Sequence, residues 1–179
     1  MTETRDRLLD AAAKAVQTRG YNGFSFHDLA AEIGIKTASI HYHFPTKAKL
    51  GQVLVQRYSR DFMAELGDPE ADPPGACIDR YIGLFRQSLH QGRMCLCGIV
   101  GAEIEDIPEA VADEVRAFFA ANQLWLERVL TRKNDPRPDE KAALIIAALE
   151  GAMLMARVSG DNALFDVIAK AIRQPGPAV

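Results

Sequence analysis

The sequence predicts an all-α protein, and three observations carry that expectation. Apolar residues recur at helical spacing: Leu8, Leu9, Ala12, Ala13 and Val16 form one stripe, and Leu50, Leu54, Tyr58, Phe62 and Leu66 form another. Residues that stop helices stand between such stripes, namely Gly20, Gly34, Pro45, the segment GDPEADPPG from Gly67 to Gly75, and NDPRP from Asn134 to Pro138. Finally, 179 residues with 48% hydrophobic content can bury a real core, which excludes disorder as a general description. The expected layout is about nine helices, divided into a three-helix head over residues 1–48 and a larger helical body over residues 49–179.

The first helix runs under the Leu8 to Val16 stripe and stops at Gly20. Ser25 lies three residues before Asp28 and sets up a capping box for a second helix, whose apolar positions are Phe26, Leu29, Ala30 and Ile33. Gly34 can take the left-handed conformation that ends this helix, with Ile35 folding back onto the apolar face. A third helix of about two turns then spans Lys36 to Phe44. Pro45 stops it, because proline lacks an N–H and pushes its predecessor out of the α region. Thr46 caps a fourth helix that continues past the head. After the break at Gly67 to Gly75, Cys77 to His90 reads as a helix, Cys97 to Ile104 as a short one, and Pro108 to Thr131 as a long one opened by Asp106. Asp139 caps a helix reaching Ser159, whose middle, ALIIAALEGAMLMA, is too apolar for one exposed face. Gly160 to Asn162 turns into a last helix bearing Leu164, Phe165, Ile168 and Ile172, and QPGPAV is expected to fray.

Helices two and three, joined by the glycine turn, form a helix-turn-helix. Ile40 and Phe44 stand four apart and can anchor the third helix, which leaves Lys36, Thr37, Ser39, His41 and Tyr42 on its remaining faces. These are hydrogen-bond donors of mixed length. A short helix carrying them suits the base edges and phosphates of a DNA major groove, which is just wide enough for one helix. Lys47 and Lys49 lie near the positive N-terminal end of the next helix, where phosphate is favoured.

GYNGFSFHDLAAEIGIKTASIHYHFPTKAKL resembles the DNA-binding domain of the TetR/AcrR family of transcriptional regulators. Gly20 and Tyr21, the Leu29-Ala30 pair, Gly34, the run Tyr42-His43-Phe44 and Lys47 fall where the family's pattern places them. The resemblance implies that Lys36 to Phe44 is the recognition helix. It implies that His27, Thr37, Ala38 and Ser39 reach bases and that His41, Tyr42 and Lys47 hold phosphate. Three positions depart from the pattern: Lys36 where the family usually has Ser, His41 where it has Tyr, and Ala48 where it has an acid. A His41 contact to phosphate would depend on pH, since imidazole titrates near neutrality.

The net charge of −3 conceals an asymmetry. Residues 1–50 hold seven Lys and Arg against five Asp and Glu, a net of +2, which leaves −5 on the rest. The basic excess sits with the motif and predicts salt-dependent DNA binding. Three cysteines do not make a disulfide framework, so a reducing cytoplasm is the expected location. Charges interrupt the N-terminal MTETRDRLLD, which excludes a signal-peptide core, and the apolar run Ala142 to Leu149 is too short to span a bilayer. No enzyme, cofactor or metal site is expected. His41 and His43, two apart on a helix, do not converge, and there is neither a glycine-rich phosphate loop nor a nucleophile elbow.

A DNA clamp alone does not need more than half the chain, so the body is expected to bind a small-molecule inducer. Tyr81, Phe85, Phe118, Asn122, Trp125, Met153 and Arg157 lie on helices able to surround a mostly apolar cavity with a few polar fixtures. MCLCG, Met94 to Gly98, adds Cys97 as a candidate thiol sensor for an electrophilic inducer, with Cys95 beside it. The competing reading is a thiol redox protein using the Cys95 and Cys97 pair. A single recognition helix reads too few bases to be selective, so a homodimer on a palindromic operator is expected. The resemblance places the dimer seam on the last two helices, near Ala148, Gly151, Met155 and Phe165. It also implies that an inducer swings the fourth helix and that the protein is a repressor.

Overall fold

A computed structural model describes residues 2–173, and the QPGPAV segment lies outside the described residues. Those residues form nine α-helices and no strand: α1 (Thr2–Arg19), α2 (Phe26–Ile33), α3 (Thr37–His43), α4 (Lys47–Leu66), α5 (Pro74–His90), α6 (Leu96–Gly101), α7 (Glu109–Arg132), α8 (Pro138–Ser159) and α9 (Ala163–Arg173), with a 3-10 turn at Ile104–Asp106. The all-α expectation holds, and most ends fall within a residue or two of those expected. Three starts and one stop differ for local reasons. Pro74 opens α5 in place of Cys77, because proline fits a first helical turn, and Gly75 lies inside the helix. Pro138, not Asp139, opens α8: it occupies the first turn, where its missing N–H is no loss, and it holds Arg137 in a non-helical conformation. The chain leaves α6 at Gly101 and tightens into the 3-10 turn, so α7 begins at Glu109 without Asp106 as its cap.

The chain divides into two compact units, and the division falls inside α4. One unit runs to Asp61 and also takes in Leu96–Phe118; the other comprises Phe62–Cys95 and the chain from Phe119 onward. The addition of residues 96–118 to the N-terminal unit is not legible in the sequence. In that unit Leu8, Leu9, Ala12, Val16, Leu29, Ile40, Phe44, Leu50 and Leu54 are all buried, so the stripes of α1 and α4 and the inner faces of α2 and α3 share one core. Arg57 on α4 pairs with Asp10 on α1 at 2.5 Å, and α6 packs on α1. Gln56 donates to Glu114 at 2.6 Å, and the Tyr58 and Phe118 rings lie 5.6 Å apart, which ties the start of α7 to α4.

In the second unit α5 packs on both α8 and α9, and α8 packs on α9. Ile145, Leu149, Ala152, Met153 and Ala156 make the inner face of α8. Trp125 Nε1 donates to the Gly67 carbonyl at 2.8 Å, and Arg132 and Arg80 bind the chain around Asp72, so the polar break between α4 and α5 is pinned in place. At 22 residues α8 is long and apolar enough to cross a membrane by length and composition alone. The uninterrupted apolar run Ala142 to Leu149 is shorter than the helix because Glu150 breaks it.

Candidate nucleic-acid interface

The reading unit begins at Ser25. Its side chain accepts from the Asp28 N–H at 3.2 Å, while its own N–H and hydroxyl donate to the Asp28 carboxylate at 2.8 and 2.7 Å. Those hydrogen bonds hold the Asp28 carboxyl below the usual carboxylate range. The capping box expected at this position is thus complete. Gly34 ends α2 at φ +72°, and Ile35 donates back to Ala30 at 3.0 Å. Arg7 reaches from α1 to the Ile33 carbonyl at 2.9 Å, neutralising the negative end of α2.

Lys36 is extended and serves as the cap of α3, one residue outside the helix; its carbonyl accepts from Ser39 at 2.9 Å. Ile40 and Phe44 are fully buried, so α3 is fixed by one side. The opposite side carries Ala38, Ser39, His41 and Tyr42, all exposed, with Thr37 half-buried and exposed His27 on α2. Tyr42 is 70% exposed and leans edge-on against His43 at 5.2 Å. His41 Nδ1 lies 3.3 Å from the Pro45 carbonyl, and its ring meets Phe26 edge-on at 5.0 Å. A ring that donates from Nδ1 to a carbonyl presents Nε2 outward. The structure places His27 on α2, Lys36 just before α3, and Thr37, Ala38, Ser39, His41 and Tyr42 on α3.

Lys47 does not stand with them. Its ammonium donates to the Phe24 carbonyl at 2.6 Å and lies 4.4 and 4.9 Å from the Phe24 and Tyr21 ring centres. Half-burial pulls it below its ordinary value against the opposing pull of Glu103 and Asp28. Its place is inside the head because a long side chain beside two rings gains both a carbonyl acceptor and two π faces. Thr46 does cap α4, accepting from the Lys49 N–H at 3.1 Å.

A profile of bacterial regulatory proteins of the tetR family matches residues 8–52, which cover α1 to the start of α4. A second, for the C-terminal domain of LmrA/YxaF-like transcriptional regulators, matches residues 74–171. The chain belongs to the TetR family of transcriptional regulators. A TetR-family regulator from Agrobacterium tumefaciens is 32% identical with a TM-score of 0.91, covering 96% of this chain and 96% of that one. A TetR regulator from Legionella pneumophila is 31% identical with a TM-score of 0.90, over 94% and 95% respectively. The HTH-type transcriptional repressor DhaR of Mycobacterium sp. (strain GP1) is 22% identical over 178 residues, covering 92% of this chain and 88% of the repressor.

The body of this TetR-family regulator gathers only part of the expected ligand set. Tyr81, Phe85, Asn122, Trp125 and Met153 are all buried in the second unit, where the Tyr81 and Trp125 rings stack 5.9 Å apart and Phe85 lies 5.3 Å from Tyr81. Cys97 and Phe118 belong to the other unit, both fully buried. Arg157 is exposed, in a surface cleft with His90, Arg93 and Asn162, because it stands in the last turn of α8 beyond the buried stripe. Of the dimer set, Ala148 and Gly151 are half-buried and Met155 is exposed, but Phe165 is buried in its own chain with Arg86 5.8 Å over its ring. The outward apolar residues are Met155 together with Leu144, Leu154 and Val158 on α8 and Val167 on α9.

The thiol redox reading has no support in the structure or among the relatives. Cys77, Cys95 and Cys97 are buried thiols outside any disulfide, and Cys77 donates weakly to the Pro69 and Asp72 carbonyls. Among the described residues no group of three His, Cys, Asp or Glu could hold a metal ion. A thiol must be reached before it reacts. We expect the folded regulator to react with Ellman's reagent at less than about a tenth of the rate of the urea-unfolded chain; fast reaction of one equivalent in the native state would reverse that assignment. Sequence reasoning also missed Glu103 and Glu150. Glu103 binds the turn at Tyr21, 82 residues upstream, and Glu150 interrupts an apolar helix with no partner legible in the sequence.

Proposed function

We propose that this TetR-family regulator is a cytoplasmic repressor that binds a palindromic operator as a homodimer and leaves it when a small molecule binds the C-terminal body. The observation that carries the reading is α3: a helix anchored by the buried Ile40 and Phe44, with Ser39, His41 and Tyr42 exposed on its outer side. Those side chains can donate to bases and phosphates at once. Repression is supported by DhaR, a relative named as a repressor. Dimerisation is supported by Leu144, Gly151, Met155 and Val158, which recur on one outer face of α8 and would each gain from being covered by the same face of a second copy. One reading head per subunit then addresses two half-sites about one helical turn apart. An inducer acts by favouring the state that cannot bind DNA, and a few kcal/mol of differential affinity suffices. Sensing of an electrophile at Cys97 would need that buried thiol to become accessible, and a Cys97→Ser variant that still releases DNA on quinone or aldehyde addition retires Cys97 as the sensor.

Selection of bound fragments from random duplex DNA tests the reading, with sedimentation of the free and bound protein. A palindromic sequence bound by two subunits is the expected result, and no enrichment overturns it. On the selected duplex, Tyr42→Ala should weaken binding about fivefold to tenfold, the worth of one phosphate hydrogen bond, and evenly across sequences. Thr37→Ala should alter preference at one position, as a base contact would.

A further inference from the structure

We infer that Glu103 is a positioning residue for operator binding: its carboxylate, carried from the end of α6, clamps the turn between α1 and α2 and thereby sets the pose of the reading helices. This rests on the DNA-binding role proposed above. Oε1 accepts from the Tyr21 N–H at 2.8 Å, and Oε2 accepts from the Asn22 N–H at 2.9 Å and from Asn22 Nδ2 at 2.8 Å. Two successive backbone N–H groups converge on one carboxylate only because Gly20 is left-handed, at φ +84°. A Cβ at Gly20 would lie 2.1 Å from Oε1, so the glycine both turns the chain and makes room for the acid.

The clamped turn is joined to the reading unit at both ends of that unit. Tyr21 is buried and its ring meets Phe24 edge-on at 6.3 Å. Phe24 stands just before α2, and its carbonyl accepts from Lys47, the first residue of α4 and the exit from α3. The entry and exit of the helix-turn-helix are therefore tied in one knot, and Glu103 holds the side of that knot formed by the turn. Glu103 lies two residues past α6, and α6 continues directly from Cys95 in the other unit.

Glu103→Ala, Glu103→Gln and, as a charge control, Glu109→Ala test this on the full-length chain. Each removes one negative charge from the unit that meets DNA, so electrostatics alone makes all three bind equally or more tightly. Positioning predicts the opposite sign: affinity for the selected duplex falls at least about tenfold for Glu103→Ala, by an intermediate factor for Glu103→Gln, and not at all for Glu109→Ala. Hydrogen exchange in the free protein should show the Tyr21 and Asn22 amides losing protection in Glu103→Ala, with faster exchange spreading to residues 25–47. The inference is overturned if Glu103→Ala binds as tightly as Glu109→Ala, or if exchange of those two amides is unchanged. Should Glu103→Ala fail to fold, Glu103→Gln decides by the same criteria. If the wild-type chain enriches no duplex, the DNA-binding role fails on its own, and the exchange experiment still decides whether Glu103 clamps the turn.

Discussion

Replacing Ile40 with alanine is expected to lower the stability of the regulator by about 2–5 kcal/mol and to abolish selective DNA binding. Ile40 is the single buried residue of α3 and is 0% exposed; Phe44 just beyond the helix, with Arg5 stacked 5.4 Å over its ring, is the other anchor. A helix of seven residues is too short to persist in water by itself. Its geometry is borrowed from the contacts made by its inner face, so a cavity under Ile40 frees the outer face as well. The two readouts separate the mechanism from simple unfolding. A lowered urea midpoint with an unchanged preference among duplexes would show that α3 stays fixed without its anchor. A midpoint near the wild-type value would show that Ile40 is not in the core. Thr37→Ala, which removes a half-buried group at the first turn, should leave the midpoint nearly unmoved and is the natural companion.

The head is legible in the sequence because its determinants are local. Ser25 and Asp28, Gly34 with Ile35, and Pro45 act within one turn of where they stand, so their chemistry sets helix ends before any tertiary contact is considered. Ile40 and Phe44 follow from spacing alone. What stayed hidden depends on partners far along the chain. Lys47 looks like a phosphate ligand by position, and only the fold shows the Phe24 carbonyl that draws it inward. Residues 96–118 join the head through Glu103, Glu114 and Phe118, three side chains with no local signature. Helix α8 is apolar on more than one face, so its sequence has no single phase from which to tell core from outer surface, whereas α9 keeps one apolar stripe with Phe165 and Ala169 inward. Phe165 and Val167, two apart on α9, take opposite sides, and the larger one goes inward.

The same ambiguity conceals Glu150, the one acid in the apolar middle of α8, and it leads to the second large effect. Burial pushes the Glu150 carboxyl up to about 7, against a smaller opposing hydrogen bond from the Cys95 thiol. Its Oε1 is buried and makes no hydrogen bond. A carboxyl raised in the folded state favours folding while it is protonated. Its contribution is therefore full below the ordinary carboxylate range and is lost as pH rises through about 7. The displacement corresponds to at most about 3 kcal/mol, and the partial exposure of the residue draws the effect toward the lower part of that range. Glu150→Gln keeps the shape and removes the titration. At fixed protein concentration, so that association does not enter, the variant should gain about 1–3 kcal/mol over wild type at pH 8 and little or nothing at pH 5. Every other side chain is common to both proteins, so the difference between the two pH profiles isolates Glu150. Parallel profiles from pH 5 to pH 8 would mean that the carboxylate finds water or a cation in the folded protein. A variant less stable at every pH would mean that the ionised acid is held by a donor that glutamine cannot satisfy.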